Sequence, residues 1–447
     1  MSTTQILAQF IAGYDAGKIP AEARTLAVRS LINWAGCALG GARHPAIESA
    51  LEAFRPFFGA PKATIIGRAE RADALHAALL NGISSHVLDF DDTHMATLVH
   101  PSGPVISALL AAAQFHPISG RAFVEAIVVG IDVECRVARS VFPQHYDAGW
   151  HITGTAGSFG AAAAVSRALG LDEKHVSWAL GIAATQAAGL REMFGTMCKS
   201  LHPGRAAQGG LGSALMARAG FTSSERAIEA PRGFAHVMAS AQHFEAAVEK
   251  LGQRWEILTN SFKPYACGVV LHPVIDACIA LRVEHTLDPA LVERVDIRAH
   301  PLVIELTGKT APATGLEGKF SVFHSAAIGL LNDKVGSRHY SDEVVRHADV
   351  VALRQKVKVE IDTSIAEDES DVTVHLKDGR RFHQHVDHAL GSVDRPMLDG
   401  DIDLKFRDLA DGVLAPRQVD EALTLLRSIE KLEDASAIGE VLAPQAV

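Results

Sequence analysis

Residues 72–90 read ADALHAALLNGISSHVLDF, a stretch in which Ala and Leu recur at helical period with no strand-like alternation. The same texture extends on both sides. PAEARTLAVRSLINWAGCALGG (20–41) lies before it and GPVISALLAAAQF (103–115) after it, separated by short Gly/Pro breaks. Near the N-terminus, Leu7, Phe10 and Ile11 are spaced as on one helical face. Residues 1–260 therefore read as almost purely helical. The texture changes after Lys263-Pro264-Tyr265. VERVDIRAH (292–300), RQKVKVEID (354–362), SDVTVHLKDG (370–379) and RRFHQHVDH (380–388) alternate with period two and carry β-branched residues. Asp378-Gly379 is a hairpin signal, so the last two runs should pair. Helical runs are expected near 321–332 and 342–353. From Asp399 the chain is helical again, as in PRQVDEALTLLRSIEKLEDASAIGEVL (416–442). The expected fold is mostly α with a second α+β domain. Residues 1–263 and 397–447 form the large helical domain, and 264–396 form a smaller inserted α+β lid domain. Such an insertion forms a cleft that a lid can close.

With 447 residues, 48% of them hydrophobic and 21% charged, the chain has ample material for two or three packed domains. A net charge of −10 argues against nucleic acid as a general partner, because phosphate binding needs a basic face. A locally positive pocket for a small anion remains compatible with it. The start MSTTQILAQFIAGYDAGKIP lacks the basic, apolar and small-residue regions of a secretory signal. No run reaches the roughly 18 apolar residues of a membrane span, so neither a membrane association nor export is expected, and a cytoplasmic location is the default. The five cysteines, at 37, 135, 198, 267 and 278, form no CxxC pair, which suggests no disulfide framework, zinc site or iron–sulfur cluster.

Three polar, His-rich loops each run into a helix built of small residues. The first is Leu88–His94, continuing through His100-Pro101-Ser102-Gly103-Pro104. The second is His145–Gly154, and the third is Thr196–Arg205. Small residues let helices approach closely, so these helices should be central. Helix N-termini present free N–H groups and a positive dipole end, which suit carboxylates. If the loops converge, Lys199, several histidines and Arg205 would surround a substrate with two or three carboxylates. His100 and His151 each stand just before a helix start and read as functional, whereas His94, His145 and His202 read better as structural. Asp89-x-Asp91-x-Thr93 also matches a phosphatase pattern whose first Asp is a nucleophile beside Mg²⁺. That motif should end a buried strand of a parallel sheet, and Asn81–His86 makes a poor one. A His/Asp metal site lacks a helical HxxxH or HExxH pair.

LDFDDTHMATLVHPSGPV (88–105), YDAGWHITGTAGSFGAAAA (146–164), GLREMFGTMCKSLHPGRAAQGG (189–210) and FKPYACGVVLHP (262–273) together resemble the MmgE/PrpD family. That family holds 2-methylcitrate dehydratases, cis-aconitate decarboxylases and iminodisuccinate epimerases. The resemblance implies a homodimer with no metal or organic cofactor and a site between the two domains. It places pocket residues at Asp89, Thr93, His100, His151, Lys199 and Lys263, with His324 following the Phe-Ser pair. This chain departs from the family's usual pattern at His94 (often Trp), at Cys198–His202 (often TKPLH) and at His324 (Tyr in some members). Removing a proton next to a carboxylate without a cofactor needs a placed base and cationic stabilisation of the enediolate. Lys199, His151, Tyr146 and His100 are the candidates for proton transfer, while Asp89, Thr93, Lys263, His324 and Arg205 are candidates for substrate binding. The leading expectation, from whole-chain likeness, is epimerisation of iminodisuccinate or a similar aminopolycarboxylate. The alternatives are dehydration of 2-methylcitrate or a similar hydroxy acid, and decarboxylation of cis-aconitate type. A binding protein without turnover is the reading from another class.

Overall fold

The computed structural model describes residues 1–445. Its first helix, Thr3–Gly13, is closed by a Ser2/Gln5 capping box and buries Leu7, Phe10 and Ile11. The stretch quoted above forms the helix Ala74–His86, started by the Asp73 carboxylate accepting from the N–H groups of Leu75 and His76. Its residues from Ala77 onward are buried on every side, which marks a central helix rather than an amphipathic surface one. The helices Ser102–Ala113 and Ile152–Ala168 share that burial, and both pack against the partly exposed helix Cys198–Arg218.

Glycine sets the spacing at the contact that matters most. A Cβ on Gly82 would lie 2.6 Å from the Cα of Gly204, so the helices Ala74–His86 and Cys198–Arg218 cross backbone against backbone. The crossing brings the end of one helix beside the beginning of the other. The helix Cys198–Arg218 starts inside the segment expected to be its leading loop, so Lys199 and His202 occupy its first turns.

The second unit is a four-stranded sheet ordered Val357–Ile361, Val292–Ala299, Ser370–Leu376, Arg381–Val386. The first pair is parallel and the other two are antiparallel. The expected hairpin is present, with Gly379 in the left-handed region at φ +87°. One face buries Val295, Ile297, Val372 and Val374 with residues of the helices His272–His285 and Val322–Leu331. The other face carries charged residues and histidines, as the alternation requires. The helical run expected at 342–353 is two short helices, Asp342–Arg346 and Ala348–Arg354, because His347 is extended between them.

After the sheet, the helix Asp399–Ala410 returns to pack on the helix Ala21–Gly41. One contact invisible to periodicity ties two distant stretches of the helical part near the site: Thr93–His94 pairs antiparallel with Asn260–Ser261. No helix among the described residues is long and apolar enough to cross a membrane.

Candidate active site

The helix Ala74–His86 ends at His86, and the chain reverses through Asp89, a non-glycine residue in the left-handed region at φ +50°. Its N–H donates to the carbonyl of His86, 2.8 Å away. Asp tolerates this conformation better than most residues. Here it is also held by its side chain. The Nζ atoms of Lys199 and Lys263 both donate to Oδ1 of Asp89, each at 2.9 Å, and all three residues are buried. Burial alone would raise the Asp89 carboxyl, but the two ammonium groups outweigh it and hold the group well below the usual carboxylate range. Burial pulls Lys199 down despite Asp89, whereas for Lys263 the attraction of Asp89 and Asp91 outweighs burial and leaves it raised. Two more buried lysines fasten the same loop through backbone carbonyls. Lys319 donates to Leu88 and Ala266, and Lys405 to Phe90 and Lys263.

The neighbouring acids serve the scaffold. Asp92 accepts from Ser102 and Asn260, which locks the loop to the next helix and to the short strand leading into Lys263. Burial pushes its carboxyl up to about 6. Asp91 accepts a hydrogen bond from the Nδ1–H of His86 at 2.7 Å.

The histidines face the same space. Nδ1 of His100 lies 2.9 Å from the carbonyl of Asp92 and 3.1 Å from Oγ1 of Thr93. A carbonyl can only accept, so Nδ1 carries the proton and Nε2 keeps a lone pair. His151 is the N-cap of the helix Ile152–Ala168, and its Nδ1 lies 2.8 Å from Nδ1 of His202. Nε2 of His151 is buried with no hydrogen-bond partner among the described residues. Burial, reinforced by nearby positive lysines, keeps both His100 and His151 well below the ordinary imidazole value, so both are neutral. Tyr146 is buried, and burial pushes its phenol up to about 12. The Arg191 guanidinium stacks 4.0 Å above its ring and pairs at 3.0 Å with Glu305 of the second unit.

Asp89, Thr93, His100, Tyr146, His151, Lys199 and Lys263 line one cavity between the helical body and the second unit. Phe194 and Phe320 close one wall, with Nζ of Lys199 5.3 and 5.6 Å from their ring centres. Seven residues singled out in the sequence thus come together, and two do not. Arg205 is exposed and bonds Gln208, because the early helix start turns it away from Lys199. We expect Arg205→Ala to change folding stability by no more than about 0.5 kcal/mol, as surface substitutions usually do; urea unfolding checks this. His324 is fully buried in the first turn of Val322–Leu331, where Nε2 meets the carbonyl of His339 at 3.0 Å and the ring meets Tyr340. It does not line the cavity.

His94 bonds Thr97, His145 bonds Met238 and Thr155, and neither lines the cavity. His202 touches His151 through Nδ1 but does not line the cavity. His86 was not anticipated at all. The phosphatase pattern fails in three dimensions, since Asp89 follows a helix and its carboxylate is taken by two lysines. His86, His100 and His151 bring ring nitrogens within 4.8 Å of one another, a spacing a metal could bridge. However, the Lys199 ammonium stands 2.9 Å from Nε2 of His86 and opposes a divalent cation there.

Residues 5–247 match the family model of the MmgE/PrpD N-terminal domain, and residues 265–431 that of the MmgE/PrpD C-terminal domain. The chain is similar to a cis-aconitate decarboxylase of Mus musculus, with 29% identity over 403 residues, covering 85% of this chain and 80% of that protein. It is similar to one of Aspergillus terreus at 27% over 461 residues, covering 95% and 92%. One of Homo sapiens shares 25% over 462 residues, covering 99% and 94%.

Proposed function

We infer that this chain, which belongs to the MmgE/PrpD family and is an enzyme of that family, is a lyase that decarboxylates a small tricarboxylate of the cis-aconitate type. The observation that carries the reading is the pairing of two buried lysine ammonium groups with two neutral imidazoles around one cavity. The lysines supply fixed positive charge for carboxylates, and the imidazoles supply proton transfer near neutral pH. The curated relatives named above are decarboxylases, which favours this outcome over the epimerisation expected from the sequence.

The steps balance without a cofactor. The bond to one carboxylate breaks and CO₂ leaves. Its electron pair forms a new carbon–carbon double bond, and the old π pair moves onto the carbon beside a remaining carboxylate. The resulting enediolate lies against Lys199 and Lys263. A ring N–H adds a proton at that carbon. His151 is suited to this step, because its Nε2 has no other partner and its Nδ1 can accept from the Nδ1–H of His202 as the proton leaves, with solvent returning the consumed proton to His202. His100, with its Nε2 lone pair, suits the complementary role of base, which dehydration would require.

Proton NMR in D₂O with EDTA tests the reading on cis-aconitate, 2-methylcitrate and iminodisuccinate stereoisomers. The expected result is CO₂ release from cis-aconitate, with one deuterium entering the product. An alkene from 2-methylcitrate without CO₂ would make the enzyme a dehydratase. Interconversion of stereoisomers alone would restore the epimerase reading.

A further inference from the structure

We propose that His86, clamped by Asp91, is a positioning residue that aims the Lys199 ammonium into the cavity. The proposal rests on the reading above, in which Lys199 is the cation that meets the substrate.

The argument begins with donor counting. A lysine ammonium has three N–H donors and no acceptor. One of the three goes to Oδ1 of Asp89 at 2.9 Å, and one to Nε2 of His86 at 2.9 Å. The tetrahedral geometry of Nζ then fixes the direction of the third. Lys199 lines the cavity, whereas His86 does not. The two partners therefore hold the ammonium and leave one donor for a carboxylate or developing enediolate.

This works only if Nε2 of His86 is an acceptor, and Asp91 ensures it. The Asp91 carboxylate is fully buried, and its Oδ2 lies 2.7 Å from Nδ1 of His86. A carboxylate accepts, so the ring proton sits on Nδ1 and the lone pair on Nε2. The opposite tautomer would set an N–H against an ammonium 2.9 Å away. Protonation of the ring is disfavoured too: burial and the Lys199 charge lower its affinity for a proton, even beside Asp91. Asp91, His86 and Lys199 thus form a chain with one consistent proton arrangement. It is the logic by which a buried carboxylate sets the tautomer of a catalytic histidine, with a lysine at the end. The helix crossing at Gly82 and Gly204 puts the last residue of one helix within reach of the second residue of the other.

Four variants test this: His86→Leu, His86→Gln, Asp91→Asn and the double variant His86→Leu/Asp91→Asn, with Lys199→Met assayed alongside. Circular dichroism and thermal midpoints establish folding. We expect His86→Leu to lower kcat about a hundredfold with KM changed less than threefold, since the charge stays in the pocket and only its direction is lost. His86→Gln, which keeps an acceptor, should recover at least about tenfold of that loss. The double variant should be no worse than His86→Leu alone, because Asp91 acts through His86. If His86→Leu fails to fold, the Gln and Asp91 variants decide, and a kcat within threefold of the unmodified enzyme in both would overturn the proposal. So would a Leu variant that folds and works, equal losses in Leu and Gln, or multiplying losses in the double variant. An inactive Lys199→Met beside an active His86→Leu refutes this inference alone. An active Lys199→Met refutes the reading of Lys199 beneath it.

Discussion

Lys199→Met should reduce kcat about a thousandfold while leaving the fold intact. Methionine preserves most of the unbranched stem and removes the charge together with its N–H donors. One preorganised donor at a developing anion is worth a factor of roughly 10² to 10³, and a buried cation belongs at the upper end. Lys199 fits this role because its ammonium is partnered before the substrate arrives, by Asp89 and His86, and has nothing to reorganise during the reaction. Folding should survive, since Asp89 keeps Lys263 at 2.9 Å and no buried charge is stranded. The measurement is steady-state kinetics on the substrate found by NMR, with circular dichroism as the control. A variant retaining more than a tenth of the kcat would transfer the role to Lys263.

Asp89→Asn should act on stability as strongly as on rate. The replaced carboxylate is the shared partner of two buried ammonium groups. Removing one member of a buried ion pair costs about 3–5 kcal/mol, because the remaining charge is left without compensation. Here two charges face the neutral amide, so a loss of at least that size is expected. Urea unfolding followed by tryptophan fluorescence reads it directly as a lower midpoint at unchanged slope. Activity should fall with it, since both lysines lose the group that fixes their position. A midpoint shift worth less than about 1 kcal/mol would mean that the two lysines find other acceptors, and that Asp89 is not the hub of the site.

Much of the architecture was legible because periodicity records burial. The Ala/Leu texture of 72–90 and the alternation of 292–300 and 370–388 report which faces are covered, and the helices and strands lie there. The convergence of the three loops was legible as well, because His100 and His151 stand at helix starts, where N–H groups and dipoles gather. Misreadings arose where local signals do not carry direction. The loop expected at Thr196–Arg205 is instead the start of the helix Cys198–Arg218, with Pro203 inside it, and that one difference moves Arg205 out to solvent. His86 is the last residue of its helix, and no spacing rule says whether such a ring points outward or toward a lysine 113 positions away. The pairing of Thr93–His94 with Asn260–Ser261 is only two residues long on each side, too short for any alternation to show. His324 followed a family position, but the carbonyl of His339 holds its ring away from the cavity.

The Lys405 strap bears on when the site comes into being. Its ammonium joins the carbonyls of Phe90 and Lys263, so the loop that bears Asp89 and the segment that bears Lys263 are fastened by a residue from the returning helix. On the ribosome, that residue emerges long after the histidines and both lysines of the pocket. A nascent chain holding every residue assigned to the chemistry would still lack the clasp that draws them together. A fragment ending near residue 247, where the first family match stops, would lack Lys263 as well. Competence is therefore expected to wait for the returning helix, and a chain truncated before Lys405 is expected to be inert rather than poorly controlled.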